Sequence, residues 1–288
     1  MAKKRSREFR LKVGEYVIGM ICRLKKHIEY FETYFGINNS DEEADIQLRT
    51  KFISHKKILD IPDSMFNAKV IEDDKFIMGD NLVSGQINPE TGLGTVRIKI
   101  GLFKGTAVRV LEQVLYQAFY NAVKLNNADS FLIHSSGVIY KNKGYLFVGP
   151  SESGKSTIAD LSSDYHILND EICHIGYRDS QVIISSTPFN GLYRKKYAGS
   201  AVLESIFILE QAKHHKIRDV KKSIAVKLLA KEIVPPVGLN ELIDQKTFVS
   251  MIDMADRLYR SVPIKKLEFL PDNQFWHEID NEFLGGEK

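Results

Sequence analysis

Gly144-Tyr-Leu-Phe-Val-Gly-Pro-Ser-Glu-Ser-Gly-Lys-Ser-Thr-Ile-Ala159 sets an apolar run, a glycine-rich turn and the start of a helical pattern in direct succession. Gly149, Gly154, Lys155 and Ser156 match G-x-x-x-x-G-K-[ST], the spacing of a phosphate-binding loop, or P-loop. Tyr145–Val148 is apolar enough for a buried strand, and Thr157–Leu161 reads as the first turns of a helix. Strand, glycine loop and helix form the context that this spacing requires. Glycines let the chain turn tightly, so that successive N–H groups converge on phosphate oxygens. The helix that follows adds its unpaired N-terminal donors. Lys155 is expected to reach the outer phosphates of a nucleotide, and the Ser156 hydroxyl to ligate Mg²⁺. Gly149, Ser151, Ser153 and Thr157 complete the expected nucleotide contacts, with Gly154, Lys155 and Ser156. Glu152 lies within the loop and is expected to point to solvent.

A P-loop specifies a nucleotide and leaves the reaction open. The acids Asp170-Glu171 follow Lys155 by about fifteen positions, which leaves room for one short helix. Most P-loop nucleotide hydrolases place their second acidic strand much further along. The short spacing predicts that both acids stand beside the phosphates, on the strand adjacent to the loop strand. One of the two can then hold Mg²⁺ while the other accepts a proton from an attacking hydroxyl. His134 is a third candidate. Phe131–Tyr140 reads as a strand, Lys141-Asn-Lys-Gly144 as a turn, and the pair as a hairpin antiparallel to the loop strand. That arrangement would bring His134 near the phosphates to tune or shuttle a proton, although a strand histidine is more often structural.

At 288 residues, 43% hydrophobic and 27% charged, the composition is that of a globular chain with one large or two modest domains. A net charge of +3 gives no argument for nucleic acid, and no apolar run reaches membrane-span length. The basic opening Met1-Ala-Lys-Lys-Arg-Ser-Arg7 is expected to be a solvated end, since no secretory h-region follows. Cys22 and Cys173 form neither a metal-type pair nor a disulfide framework, which fits a reducing cytoplasm. Residues 9–60 mix strand-like and helix-like patches. From Ala68 to Gly101 the pattern is β, with Asn88-Pro-Glu-Thr-Gly92 as a turn. Thr106–Asn126 is the clearest helix, its stripe running through Val108, Leu111, Leu115, Ala118, Phe119 and Ala122. Ser205–Leu209 and Val262–Leu270 read as strands. Between them, Val220, Ile224, Leu228 and Leu229 suggest one helical stripe, and Leu239, Leu242, Phe248, Ile252, Ala255 and Leu258 a second. The tract Lys213-His-His-Lys216 reads as exposed. Arg194, Lys195 and Lys196 form a basic loop that is either solvated or able to clamp a phosphate or an acidic peptide.

His134-Ser-Ser-Gly-Val-Ile139, the loop Gly149–Thr157 and Ile167-Leu-Asn-Asp-Glu171 together resemble the catalytic core of the HPr serine kinase/phosphorylase family. The family shares its nucleotide fold with phosphoenolpyruvate carboxykinase. The resemblance covers roughly residues 130–176. Thr187-Pro-Phe189, Phe207-Ile-Leu-Glu210 and Phe269-Leu-Pro-Asp-Asn-Gln-Phe-Trp276 look more like the HPr-kinase-related proteins of bacterial peptide-modification clusters, some of which phosphorylate lasso-peptide precursors. It implies Asp170 as the proton acceptor, Glu171 as the second, metal-assisting acid, and His134 in an assisting role. Glu171 stands where the family has a second Asp, and the family's later Glu-x-Arg-Gly segment is not found.

The fold expected is α/β. A mixed, partly antiparallel sheet with a P-loop, of the phosphoenolpyruvate carboxykinase/HPr kinase type, spans residues 127–288. An α+β region over 1–126 precedes it. The activity expected is ATP- and Mg²⁺-dependent phosphoryl transfer to a hydroxyl, of Ser or Thr in a peptide or small protein. The catalytic residues would be Asp170, Lys155 and His134, and the metal contacts Ser156, Asp170 and Glu171. A small-molecule alcohol kinase and a non-catalytic ATP-sensing module remain as alternatives. The partners expected are a polypeptide substrate and a further copy of the chain, with neither nucleic acid nor membrane.

Overall fold

The computed structural model describes residues 7–35, 38–53, 68–72, 75–78, 83–98, 106–189, 196–235 and 244–283. The chain divides into two compact units, Met1–Asp129 with Pro235–Ile243, and Ser130–Val234 with Asp244–Lys288.

In the first unit, β1 (Arg7–Val13) and β2 (Tyr16–Cys22) form a hairpin, followed by α1 (Lys25–Phe35), β3 (Ile46–Phe52), β4 (Ala68–Glu72), β5 (Lys75–Met78), β6 (Val83–Ile87), β7 (Leu93–Ile98) and α2 (Thr106–Leu125). The strands make one mixed sheet in the order β1-β2-β3-β7-β6-β5-β4. The β6–β7 turn closes where the sequence places it. Asn88 Oδ1 accepts from the amides of Glu90 and Thr91, and Gly92 takes the left-handed conformation. On α2 the predicted stripe is buried from Leu111 through Ala122.

The second unit carries β8 (Ser130–His134), β9 (Ser136–Tyr140), β10 (Lys143–Val148), α3 (Lys155–Leu161), β11 (His166–Asn169), β12 (Ile172–Arg178), β13 (Gln181–Ser185), β14 (Ser200–Gln211), β15 (Lys216–Asp219), α4 (Lys222–Glu232), β16 (Ile233–Val234), α5 (Gln245–Ser261), β17 (Ile264–Phe269) and α6 (Phe275–Phe283). Its ten strands run β11-β9-β10-β14-β13-β12-β8-β16, with β17 paired to β14 and to β15. Both sheets are mixed. The β9–β10 turn is a two-residue connection in which Lys141 and Asn142 both have positive φ, the twist that suits a tight hairpin.

The run 131–140 is not one strand. It breaks at Ser135, so β8 pairs with β12 and β16 while β9 pairs with β10 and β11. The sheet doubles back at this break. A Cβ at Gly137 on β9 would stand 2.6 Å from Cys173 Sγ on β12 and 2.9 Å from Ile184 Cδ1 on β13. Only a residue without a side chain permits so close an approach of the two layers. Aromatic rings fill the other side of β10: Tyr145, Phe147, Phe207, Phe269, Phe275 and Trp276 share one buried cluster. The indole N–H of Trp276 donates to Ser162 Oγ at 3.1 Å, so this residue packs and caps at once.

The expected stripes of the helices of this unit hold only in part. Of the two stripes, Leu229, Ala255 and Leu258 are buried as expected, but Ile224, Phe248 and Ile252 are exposed, and Ala225, Ala230 and Met251 are buried in their place. Leu239 and Leu242 lie outside the described residues. The histidine tract is only partly exposed: His214 pairs with Glu268 at 2.8 Å, and the largely buried His215 pairs with Asp272 at 2.9 Å.

Candidate functional site

Strand direction builds the site. β9 is antiparallel to both β10 and β11, so β10 and β11 run the same way with β9 between them. The turn after β10 and the acids after β11 therefore emerge at the same, carboxyl end of the sheet. The expectation that the acids occupy the strand next to β10 is wrong. Phe147 pairs with Ser136, and Gly137 with Asn169, so the acid bend lies two strand spacings over, about 10 Å.

The turn Gly149–Gly154 is tightly made. Gly154 has φ +105°, and a Cβ there would meet the Phe269 ring at 2.6 Å. A Cβ at Gly149 would stand 2.6 Å from Ser153 Oγ, and that hydroxyl is itself buried with no hydrogen-bond partner. Ser151 and Glu152 are exposed, and the Glu152 carbonyl accepts from Gln211 Nε2 at 2.8 Å. Ser156 and Thr157 are half-buried in the first turn of α3. The Lys155 ammonium donates to the carbonyls of Gly149 at 2.7 Å and Pro150 at 3.2 Å. Burial holds its pKa below the ordinary lysine value, and the charges of Glu232 and Glu171 oppose that shift.

His134, at the end of β8, is flanked by two carboxylates. Its Nε2 stands 3.4 Å from Glu171 Oε1 and its Nδ1 3.2 Å from Glu232 Oε2. Hydrogen bonds to Glu171 and then Glu232 raise its pKa to about 9, against the opposing effect of burial. At neutral pH it is an imidazolium that donates from both nitrogens. It does not lie on the strand paired with β10, as the sequence suggested, but on β8, which pairs with β12 and β16, and it meets the site across the break at Ser135. Burial works to raise the pKa of Glu171, but the hydrogen bond from His134 and the charges of His134, Lys155 and Lys196 lower it on balance.

Asp170 is 1% exposed at the bend between β11 and β12. Its charge acts on the Cys173 thiol, as does that of Lys196. Lys155, His134 and Glu171 thus form one electrostatic cluster. Asp170 is joined to it by its backbone and by the Lys196 charge that both neighbourhoods share.

The bend is held by Asn169, a residue that sequence reading did not single out. Its Nδ2 donates to Thr187 O at 3.1 Å, Thr187 Oγ1 at 2.9 Å and Phe189 O at 2.9 Å. Its Oδ1 accepts from the Glu171 amide at 2.9 Å and from Lys196 Nζ at 3.3 Å. Lys196 also donates to Phe189 O. It is therefore tied into the site, whereas Arg194 and Lys195 lie outside the described residues. Glu232 was missed as well, because nothing in the sequence links it to a histidine 98 positions away.

No group of three or more His, Cys, Asp or Glu side chains among the described residues can hold a metal ion by itself. Among those residues no helix is long and apolar enough to cross a membrane.

No family model matches the chain. No curated protein matches it either. Among solved structures, the HPr(Ser) kinase/phosphatase from Coxiella burnetii aligns with 31% of this chain and 72% of its own length, with 12% identity and a TM-score of 0.23.

Proposed function

We propose that this protein is an ATP-dependent kinase that transfers a phosphoryl group to a hydroxyl of a peptide or small protein, with its site at the carboxyl ends of β10 and β11. The observation that carries this reading is electrostatic: Lys155, from the turn after β10, and Glu171, from the bend after β11, each act on the other's pKa. A glycine turn with a lysine, opposed by carboxylates at its own end of the sheet, is what phosphoryl transfer asks of a protein. The turn fits a polyphosphate chemically. It combines a buried cation, a buried hydroxyl lacking a partner at Ser153, and a run of small residues.

In this reading Gly149, Ser151, Ser153, Gly154, Ser156 and Thr157 bind the phosphates, and Lys155 turns from its loop carbonyls to the outer ones. Ser156, Asp170 and Glu171 would hold Mg²⁺ together with the nucleotide's own oxygens, and the ion would supply charge neutralisation. Asp170 takes the proton of the acceptor hydroxyl as that oxygen bonds to the γ-phosphorus and the bridge to the β-phosphate breaks, leaving ADP. His134, already protonated, orients Glu171 and Glu232 and takes no proton itself.

The test compares wild type with Asp170→Asn. Transfer to a serine peptide, read by mass spectrometry and ADP release, should fall about 10²- to 10⁴-fold, with the affinity for ATP measured in the absence of Mg²⁺ by calorimetry unchanged. ATP binding without turnover in the wild type would leave only a nucleotide-binding module.

A further inference from the structure

The α4–α5 pair leaves a groove of about 790 Å³ between its two helices, lined by none of the residues of the turn after β10. Its floor is apolar, from Val226, Phe248 and Ile252, and Phe248 is 51% exposed. Its charges are unbalanced. Asp256 is neutralised by Lys222 and Arg260. Lys227 and Lys231, four residues apart and so on one helix face, have no ion-pair partner among the described residues. Asp253 is the remaining acid in the lining. The residue after Lys231 is Glu232, whose carboxylate contacts His134, so the carboxyl end of α4 borders the candidate site.

We infer that the α4–α5 groove docks an amphipathic segment of a partner polypeptide that presents large apolar side chains interspersed with carboxylates. Given the kinase reading above, on which this identification rests, that partner is the phosphoryl acceptor. The apolar side chains cover Phe248 and Ile252, and the carboxylates answer Lys227 and Lys231. The segment then holds the acceptor hydroxyl close to the bend at Asp170, converting a weak encounter into an intramolecular one.

The test uses the full chain and two short fluorescein-labelled peptides with Leu and Phe at helical spacing, one carrying Glu and the other Lys at the remaining positions. Anisotropy should show the Glu peptide binding about tenfold or more tightly than the Lys peptide. The double variant Lys227→Glu/Lys231→Glu should reverse that preference, and Phe248→Ser should weaken the Glu peptide about tenfold. Equal affinity for both peptides, or binding indifferent to these substitutions, overturns the proposal. So does a dimer in sedimentation velocity that Phe248→Ser dissociates, which would put a second copy in the groove. Co-sedimentation with phosphatidylserine vesicles that only the double variant loses overturns it in favour of a lipid surface. Failure of the wild type to bind ATP would refute the kinase reading and leave the peptide result standing.

Discussion

His134 keeps its proton because each ring nitrogen faces a carboxylate, Glu171 at 3.4 Å and Glu232 at 3.2 Å. Its ring should titrate with a midpoint near 9, and Glu232→Gln should move that midpoint towards 6.5, as followed by ¹H–¹⁵N NMR of the imidazole. The folded-state value lies above the ordinary histidine value of 6.5. The stabilisation is therefore complete below pH 6.5 and is lost as the pH rises through about 9. The gap between wild-type and Glu232→Gln urea midpoints should accordingly be constant below pH 6.5 and close between 6.5 and 9. A gap that widens over that interval would mean that His134 is buried neutral.

The link between β11 and β12 depends on one amide. Asn169 satisfies two strand ends and the segment at Thr187–Phe189 at once, and Thr187 Oγ1 in turn donates to Ile172 O. Asn169→Ala leaves several buried polar groups without partners, for a loss of about 3 kcal/mol in chemical denaturation. Transfer activity should fall with it, because the bend carries Asp170 and Glu171, while the turn after β10 keeps its ATP affinity. At this scale the quoted sequence was most legible. Strand, glycine turn and helix follow one another locally, and so do the β9–β10 hairpin and the β6–β7 turn. Each is written in neighbouring residues through φ preference and apolar period. The break at Ser135 was not legible, since an apolar run looks the same whether one strand or two pass through it. Which face of α4 and α5 would be buried was not legible either. Ile224, Phe248 and Ile252 satisfy a helical period, yet the buried face is rotated away from them, keeping Leu229, Ala255 and Leu258 and taking in Ala225 and Met251.

For the whole molecule, the expected consequence is linkage between nucleotide and stability. ATP with Mg²⁺ at a hundredfold excess over its dissociation constant should stabilise the native state by about 2.7 kcal/mol and raise the melting temperature. Lys155→Ala should abolish most of that shift in differential scanning fluorimetry. Hydrogen exchange should slow in peptides covering 149–157 and 166–175. A rise that persists undiminished in Lys155→Ala would mean that the nucleotide binds elsewhere.

The sequence by itself determined the loop, its lysine, the acids at short range behind it and the mixed character of the sheet. Turn chemistry and periodicity act over a few residues and need no knowledge of the rest of the chain. Only the tertiary structure decided that β9 stands between β10 and β11, that Glu232 closes on His134 from 98 positions away, and that Asn169 and Lys196 hold the bend. Strand order and long-range ion pairs are settled by which surfaces the folded chain buries together, and no local pattern records that choice.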